Sequence, residues 1–444
     1  MLTKIDFIGG NTKRCLMAMA LPMIAAMFLN MMYNLVDSLW IGNLLGETAY
    51  AALTNSAPII LILTSVAMGA TNRVSVLVSQ AIGAKDKSRT ESLIATSFCV
   101  AVVFSVLVTV VLEICLPVIL KALNTPEETY DMAYSYLAIY VLGYLAVYLY
   151  LYFTAVLRSF GNSMFQAAAM LVSTILNAIL DPIFIHFIGF HGAAIATLLS
   201  QIICLMFMLI YLKKKKLFAF KISAFDKNDV LPLIQKAIPS VIQQSIPAVS
   251  TTFLTALVST YSVTAIAAYG VTGKLETILF YPAMALNMVL TTIIGQCAGG
   301  KRYDRAKDYL KCALGYGCVL LVILSAAVVG FSQQLSGLFV KSSDVAVIVG
   351  TYFLIVSIGY ILNTVTNCYL GTLNGMGSPS KSMFLMIFYY IIVRMPLAYL
   401  LSYLGFGLNG IWVAVLISHI IASIAAVFTG TIYMKKNEVS VKAI

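Results

Sequence analysis

One carboxylate and two amides occur in a long apolar stretch near the beginning of the chain. Asn30, Asn34 and Asp37 are spaced so that a helix presents all three within an arc of about 60° on one face. An ionised carboxylate costs roughly 2.5 to 3.5 kcal/mol or more at the centre of a bilayer, so an acid in such a helix indicates a site for a proton or a cation. In the alternative interpretation, Asp37 only caps the outer end of the helix before Gly42.

A second polar stripe lies in another apolar stretch, where Ser173, Asn177 and Asp181 recur at every fourth residue. Pro182 follows, and because proline lacks an N–H group, a backbone carbonyl one turn earlier loses its hydrogen-bond donor. A third stripe comes next: Thr197, Ser200 and Gln201. Polar groups that face one another inside a dry helical bundle satisfy one another and can hold a cation. Alternatively, Asp181 only closes a helix.

The composition shows why these polar groups are unusual. Of 444 residues, 61% are hydrophobic and 10% charged, with a mean hydropathy of +0.95, whereas a water-soluble protein has roughly 25% charged residues. Apolar runs of the ~20 residues that cross a bilayer are too long for barrel strands, so we predict an all-α integral membrane protein. Twelve such runs lie near 15–40, 51–80, 92–120, 131–157, 164–187, 192–212, 236–260, 265–297, 309–332, 347–372, 382–403 and 408–434.

Lysine and arginine are distributed unevenly between the two sides of the membrane. If the N-terminus is cytoplasmic, 23 of the 28 Lys and Arg residues lie on the inner side and only Lys121 and Lys341 on the outer side. This asymmetry predicts a multi-pass protein of the plasma (inner) membrane with both termini in the cytoplasm. The same topology signal accounts for the net charge of +11 and the four lysines at 213–216, so we expect no nucleic-acid partner.

The second half of the chain repeats the first at a spacing of 216 residues. Thr48, Gln80, Gly83, Lys85 and Arg89 recur as Thr264, Gln296, Gly299, Lys301 and Arg305. One long charged connection falls where the repeat restarts, which predicts an N-lobe at 1–212 (spans 1–6), a cytoplasmic linker at 213–235 and a C-lobe at 236–444 (spans 7–12). Two pseudo-symmetric six-helix bundles around a central cleft are typical of transporters that bind between alike halves.

Several motifs resemble the multidrug and toxic compound extrusion (MATE) transporters along the whole chain. They are NLVDSLWIG at 34–42, QAIGA at 80–84, NAILDP at 177–182 and GAAIAT at 192–197. The resemblance implies a twelve-helix antiporter that exports organic cations against an inward proton or sodium gradient. It also implies a cation-coupling site formed by Asp37, Asn177, Asp181 and Thr197, which would bind a metal ion only if the coupling ion is sodium.

The C-lobe departs from one branch of that family. NorM-like members carry acids in spans 7 and 10, but residues 238–260 and 347–372 contain no Asp or Glu. Sodium binding of that type is therefore not expected, and the chain is similar to the MepA-like or DinF-like bacterial members.

Four charged residues within the spans fall outside this mapping, and we predict a structural or coupling role for them: Arg73, Lys274, Glu276 and Arg394. Because an unpaired charge in a bilayer is costly, Glu276 either pairs with Arg394 or another cation as a bridge between helices, or serves as a ligand or coupling group itself. Arg73 is expected to snorkel to the interface or to pair locally.

Flexible methionines and aromatic rings indicate a pocket that adapts to unlike flat cations, although each of them alone is compatible with ordinary packing. The predicted substrate cleft comprises Asn30, Met31, Tyr33, Asn34, Gln243, Phe280, Met284, Asn287 and Met288.

These observations predict a multidrug efflux antiporter that works by alternating access. We expect no cofactor beyond a coupling H⁺ or Na⁺, partners limited to small organic cations and the lipid bilayer, and function as a monomer. A flippase or exporter of a lipid-linked or other amphipathic substrate is the alternative. An intramembrane enzyme is not expected, because the three histidines show no HExxH spacing and no catalytic set is present.

Overall fold

The computed structural model describes residues 5–122, 125–215 and 222–442, and these residues are helical with no strand among them. A high apolar content forces the backbone to satisfy its own polar groups, which a helix does within one segment. The helices are α1 (Thr12–Leu45), α2 (Glu47–Gly83), α3 (Lys87–Ala122), α4 (Glu127–Leu142), α5 (Tyr144–Ser159), α6 (Met164–Ile188), α7 (Phe190–Lys215), α8 (Val230–Ser259), α9 (Val263–Gly299), α10 (Tyr303–Ser336), α11 (Ser343–Gly375), α12 (Pro379–Ile387), α13 (Met395–Leu401) and α14 (Gly407–Lys442).

Ten helical segments of the described chain are long and apolar enough to cross a membrane. One of them, Pro379–Val439, is 61 residues long, which is enough for two crossings. A further crossing comes from α4 and α5, which are bent by 49° at Gly143 and together pass the same test. Counted in this way, the described residues provide the twelve predicted spans, and the predicted all-α membrane fold is confirmed.

The predicted span at 382–403 is not a regular helix. Between α12 and α13 the backbone forms a π-helix at Phe388–Arg394, and a second π-helix at Ser402–Phe406 precedes α14. Gly405, inside this second π-helix, and Gly407, the first residue of α14, have φ of 88° and 60°, a conformation that glycine adopts without strain. Single π-turns inside helices are frequent at functional sites.

The chain divides into two compact units. The N-unit contains residues 21–82 and 86–237, and the C-unit contains residues 1–20, 83–85 and 238–444. The first twenty residues therefore group with the second half of the chain, whereas the sequence prediction assigned them to the N-lobe. The physical reason is a set of contacts with α10, among them a 3.0 Å hydrogen bond from Tyr309 OH to the carbonyl of Phe7.

The predicted linker at 213–235 is partly helical. Helix α7 continues to Lys215, and α8 begins at Val230 after two short 3₁₀ turns at Ile222–Ala224 and Lys227–Asp229. Residues 216–221 of this linker lie outside the described part of the chain.

Close approaches between helices position the polar stripes. At the turn from α6 to α7, a Cβ on Gly192 would lie 2.2 Å from the carbonyl oxygen of Phe184, so glycine allows the two antiparallel helices to meet there. Thr174 Oγ1 of α6 donates to the Leu29 carbonyl of α1 at 3.3 Å. These contacts hold α1, α6 and α7 together within the N-unit.

In the C-unit, α9 and α11 approach each other just as closely. A Cβ on Gly371 of α11 would lie 2.5 Å from the carbonyl oxygen of Asn287 on α9. One turn further along, a Cβ on Gly375 would lie 2.8 Å from the carbonyl oxygen of Thr291. Small residues that let helix backbones touch are the usual basis of helix packing in membranes.

Candidate functional site

Asn177, Asp181 and Thr197 lie together inside the N-unit. Helix α6 places Asn177 one turn before Asp181, and the Asn177 amide Nδ2 donates to Asp181 Oδ1 at 2.9 Å. Helix α7 brings Thr197 Oγ1 to 3.5 Å from the same nitrogen. Asn177 and Asp181 are both 0% exposed. Water does not reach these groups, so protein atoms or a bound cation must satisfy them.

Asp37 joins this group from α1. Its side chain is 8% exposed, and its carboxyl group is within hydrogen-bonding reach of the Asp181 carboxyl group. One turn earlier on α1, the Tyr33 hydroxyl lies 3.3 Å from Ser200 Oγ on α7. The structure therefore brings the four predicted coupling residues together, and we call Asp37, Asn177, Asp181 and Thr197 the N-unit acid site.

Three buried oxygen atoms of the N-unit acid site have no hydrogen-bond partner: Asp37 Oδ1, Asn177 Oδ1 and Asp181 Oδ2. A buried acceptor without a donor costs about 1–3 kcal/mol, and two carboxylates in contact repel each other strongly when both are ionised. One proton shared by the two acids, or one monovalent cation bound by the three oxygens, would relieve both penalties. The site can thus change its charge by binding a single cation.

Three other members of the predicted polar stripes do not belong to this group: Asn30, Asn34 and Ser173. Asn34 Nδ2 donates to the Asn30 carbonyl of its own helix at 2.8 Å, and both asparagines are exposed. Ser173 interacts with the thiol of Cys204 and not with an acid. A common face on one helix therefore does not give these side chains a common environment.

Tyr136 is a site neighbour that the coupling-site prediction missed. This α4 residue is buried and close enough to interact electrostatically with Asp37 and Tyr33. Its ring also packs against Phe190 at the start of α7, with a centroid distance of 5.4 Å. The sequence signal was the pair Tyr136 and Tyr140, which lie one helical turn apart.

The C-unit contains a half-buried acid in a different setting. Glu276 of α9 accepts hydrogen bonds at the same oxygen, Oε1, from Tyr352 OH at 2.6 Å and from Tyr360 OH at 2.8 Å, both on α11. A hydrogen bond to a charged group contributes about 1.5–3 kcal/mol. The two tyrosines therefore hold the carboxylate in place between α9 and α11.

Arg394 ends the π-helix of the C-unit and is 6% exposed. Its guanidinium donates to Ser418 Oγ at 2.9 Å and to Tyr389 OH at 2.6 Å, and it lies 3.3 Å from His419 Nε2. The four ion pairs found among the described residues do not include Arg394 or Glu276, so the predicted bridge between these two residues is not formed directly. His419, which the sequence analysis did not select, is central to this network.

The remaining predicted charges lie elsewhere. Lys274 is exposed, with its Nζ 5.1 Å from the centroid of the Phe339 ring. Arg73 is 3% exposed, and its Nε and Nη1 have no hydrogen-bond partner. Arg73 also forms no ion pair within the described chain, so the local charge partner that the sequence analysis considered is not found there.

The predicted cleft residues fall into two sets, one in each unit. Tyr33 is buried in the N-unit near the acid site, whereas Met31 is half-buried. In the C-unit, Asn287 donates to Asn367 Oδ1 at 3.1 Å, and Gln243 is buried with its Oε1 unpaired. The other cleft residues of the C-unit are half-buried or buried: Phe280, Met284 and Met288.

The fold and the acid site together define a helical membrane protein with two repeated halves and a buried group of two acids, an amide and a hydroxyl. The sequence profile described as MatE matches residues 22–183 and again residues 239–400, one copy in each half. The chain belongs to the MatE family, which confirms the resemblance seen in its motifs. Members of this multidrug efflux family are transporters, so family membership points to transport and not to enzymatic chemistry.

Relatives from several bacteria are similar over nearly their whole length. The probable multidrug resistance protein YpnP of Bacillus subtilis is 27% identical, covering 95% of each chain. The FAD transporter of Shewanella oneidensis is 26% identical over 94% of this chain and 93% of its own. The multidrug export protein MepA of Staphylococcus aureus is 23% identical over 96% of this chain and 95% of its own.

Solved structures show the same fold. A crystal structure of MATE in complex with MaL6 superposes with a TM-score of 0.93 at 21% sequence identity, covering 99% of this chain and 100% of that one.

Proposed function

We propose that this transporter is an antiporter that exports lipophilic organic cations in exchange for protons entering through the N-unit acid site. Binding of a proton to the Asp37–Asp181 pair neutralises one charge, and its release restores a negative site that attracts a cation. A ligand shifts a two-state equilibrium only by its different affinity for the two states. The charge of the acid pair supplies that difference in alternating access.

The observation that carries this proposal is the set of three buried oxygens without partners. Asp37 Oδ1 and Asp181 Oδ2 belong to carboxyl groups in mutual contact, so one shared proton satisfies acceptors on both. Sodium would bind the same oxygens together with Thr197 Oγ1, and it is the alternative coupling ion. Two adjacent acids have the wrong sign for the pyrophosphate of a lipid-linked saccharide, so nothing at this site favours the flippase alternative.

The names of the relatives bear on the substrate class. The names of YpnP and MepA refer to multidrug resistance and multidrug export, which agrees with a promiscuous carrier. The name of the Shewanella relative refers to FAD, an anionic and aromatic molecule. FAD is therefore the natural comparison substrate for any test with a cationic dye.

We further propose that the protein works as a monomer in the plasma membrane with both termini in the cytoplasm. The orientation follows from the excess of Lys and Arg on the predicted inner side. A single chain already contains both repeats and a complete acid site.

The test is efflux of ethidium from proteoliposomes in which the proton and sodium gradients are imposed separately. We expect ethidium efflux to follow the proton gradient and to be lost in Asp37→Asn and in Asp181→Asn. FAD in place of ethidium is expected to show little proton-driven movement.

Asp131→Asn is the matched control, because it removes an exposed carboxylate from α4 of the same unit. It should transport like the original protein. Efflux that survives in Asp37→Asn, or an equal loss in the control, contradicts the proposal. Efflux driven only by sodium would instead assign the acid site to sodium.

A further inference from the structure

A basic cavity lies where the N-terminal segment meets α10 in the C-unit. It has a volume of about 500 Å³, within the range of roughly 300–1,000 Å³ that is usual for small-ligand sites. Its charged lining consists of Lys13 from the first turn of α1 and of Arg305, Asp308 and Lys311 from α10. Three cations and one acid give the cavity a net positive charge.

The equivalent position in the first half of the repeat can be compared with Arg305. Arg89 occupies the position equivalent to Arg305 in the first half, and its guanidinium forms a two-pronged ion pair with Asp229, with Nη2 2.8 Å from Oδ1. Arg305 instead donates to neutral oxygens, namely Thr12 Oγ1 at 2.8 Å and the carbonyls of Phe7 and Gly10. No carboxylate of the described chain forms an ion pair with Arg305. Asp6 interacts with it electrostatically from a greater distance, so the charge of Arg305 is balanced less directly than that of Arg89.

Three further features favour an anion. The cavity lies at the N-terminal ends of α1 and α10, where helix dipoles add positive potential. Arg305 Nε is also buried without a partner. In addition, the cavity is at the ends of two helices that are long and apolar enough to cross a membrane, and the ends of such helices reach the headgroup region.

We propose that this cavity binds a phosphate group, carried either by an anionic phospholipid headgroup or by a soluble phosphate. Lys13 and Lys311 approach the phosphate from α1 and α10, while Arg305 stays anchored to residues 7–12. The bound phosphate compensates the charge that Asp229 compensates at the equivalent place in the other half. It also joins the N-terminal segment to α10 through a shared ligand.

The test compares full-length protein in nanodiscs and in detergent. Thermal unfolding is followed while phosphatidylglycerol, phosphatidylcholine or inorganic phosphate is added, and bound lipids are counted by native mass spectrometry. We expect phosphatidylglycerol, and not phosphatidylcholine, to raise the unfolding temperature and to remain bound. A soluble phosphate ligand would be shown by the same rise with inorganic phosphate alone.

The double substitution Lys13→Gln and Lys311→Gln should weaken the apparent affinity for the phosphate ligand roughly 30-fold, as expected for two lysines at a charged surface. Arg305 is left unchanged because it also holds the N-terminal segment. The matched control is Lys87→Gln with Lys227→Gln, which removes two exposed lysines of the N-unit. Unchanged affinity in the first variant, or an equal loss in the control, overturns the proposal, as does the absence of any effect of either phosphate source.

Discussion

The two halves of the repeat hold their buried charges in opposite ways. In the N-unit, Asp37 and Asp181 each have a buried oxygen without a partner, and their carboxyl groups face each other. In the C-unit, Glu276 is held by two tyrosines, and Arg394 is held by a serine, a tyrosine and a histidine. In the proposed function, the N-unit binds the coupling proton, whereas the charges of the C-unit form a fixed frame.

The contrast extends to the backbone that carries these residues. Asp181 lies in the regular α-helix α6 directly before Pro182, whereas Arg394 ends a π-helix two residues before Pro396. Leu180 occupies the corresponding place in α6. The repeat therefore preserves the proline and the membrane span but changes both the helix type and the charge.

The largest effect is expected when one acid in each unit is replaced by its amide and the two variants are compared. Asp181→Asn should remove nearly all proton-driven ethidium efflux, because one acid of the pair can then no longer bind and release the coupling proton. Glu276→Gln should keep most of the efflux, because its tyrosine partners can still donate to the amide oxygen. Initial rates in proteoliposomes compare the two directly, and equal losses would break the distinction between the units.

Replacing Arg394 of the C-unit should affect the stability of the protein more than its proton-driven transport. Arg394→Gln deprives Ser418, Tyr389 and His419 of a charged donor, and we expect a loss of about 1.5–3 kcal/mol in the free energy of unfolding. Denaturation in detergent measures this loss. Arg14→Gln, at an exposed position of the same unit, is the control. An unchanged stability with abolished efflux would assign Arg394 to transport.

Much of this arrangement was predictable from local spacing. Asn177 and Asp181 are one turn apart on one helix, so the sequence places them side by side. Asp37 was predicted to belong to a site because an acid is costly to bury in lipid. The contact of Arg305 with residues 7–12 was not predictable, because the partners are almost 300 residues apart and are two backbone carbonyls and one hydroxyl without a sequence signature. The role of His419 was missed for a similar reason, since a lone histidine in an apolar helix shows no pattern.

An added methyl group should be poorly tolerated where α9 and α11 touch. Gly371→Ala places a methyl group 2.5 Å from the carbonyl oxygen of Asn287, and we expect a destabilisation of about 1–3 kcal/mol. Gly315→Ala in α10 meets no atom within 4 Å and should stabilise the helix by up to about 1 kcal/mol. Thermal unfolding of both variants checks the sign. Destabilisation of equal size would show that the rigid frame does not depend on this contact.

The smallest effect is expected for a single hydroxyl of the C-unit. Tyr360→Phe removes one of the two hydrogen bonds to Glu276 while Tyr352 still donates to the same oxygen. We expect a loss of about 0.5–1.5 kcal/mol in stability and no change in the pH dependence of efflux. A shifted pH profile would mean that Glu276 also exchanges protons, and the comparison of the units would then need revision.

The most direct test of the central claim is the number of protons released when ethidium binds to the purified transporter in weakly buffered detergent. If the Asp37–Asp181 pair shares a proton and ethidium displaces it, the original protein should release about one proton per bound dye at most, and Asp37→Asn should release none. Equal proton release by the two proteins would contradict the account.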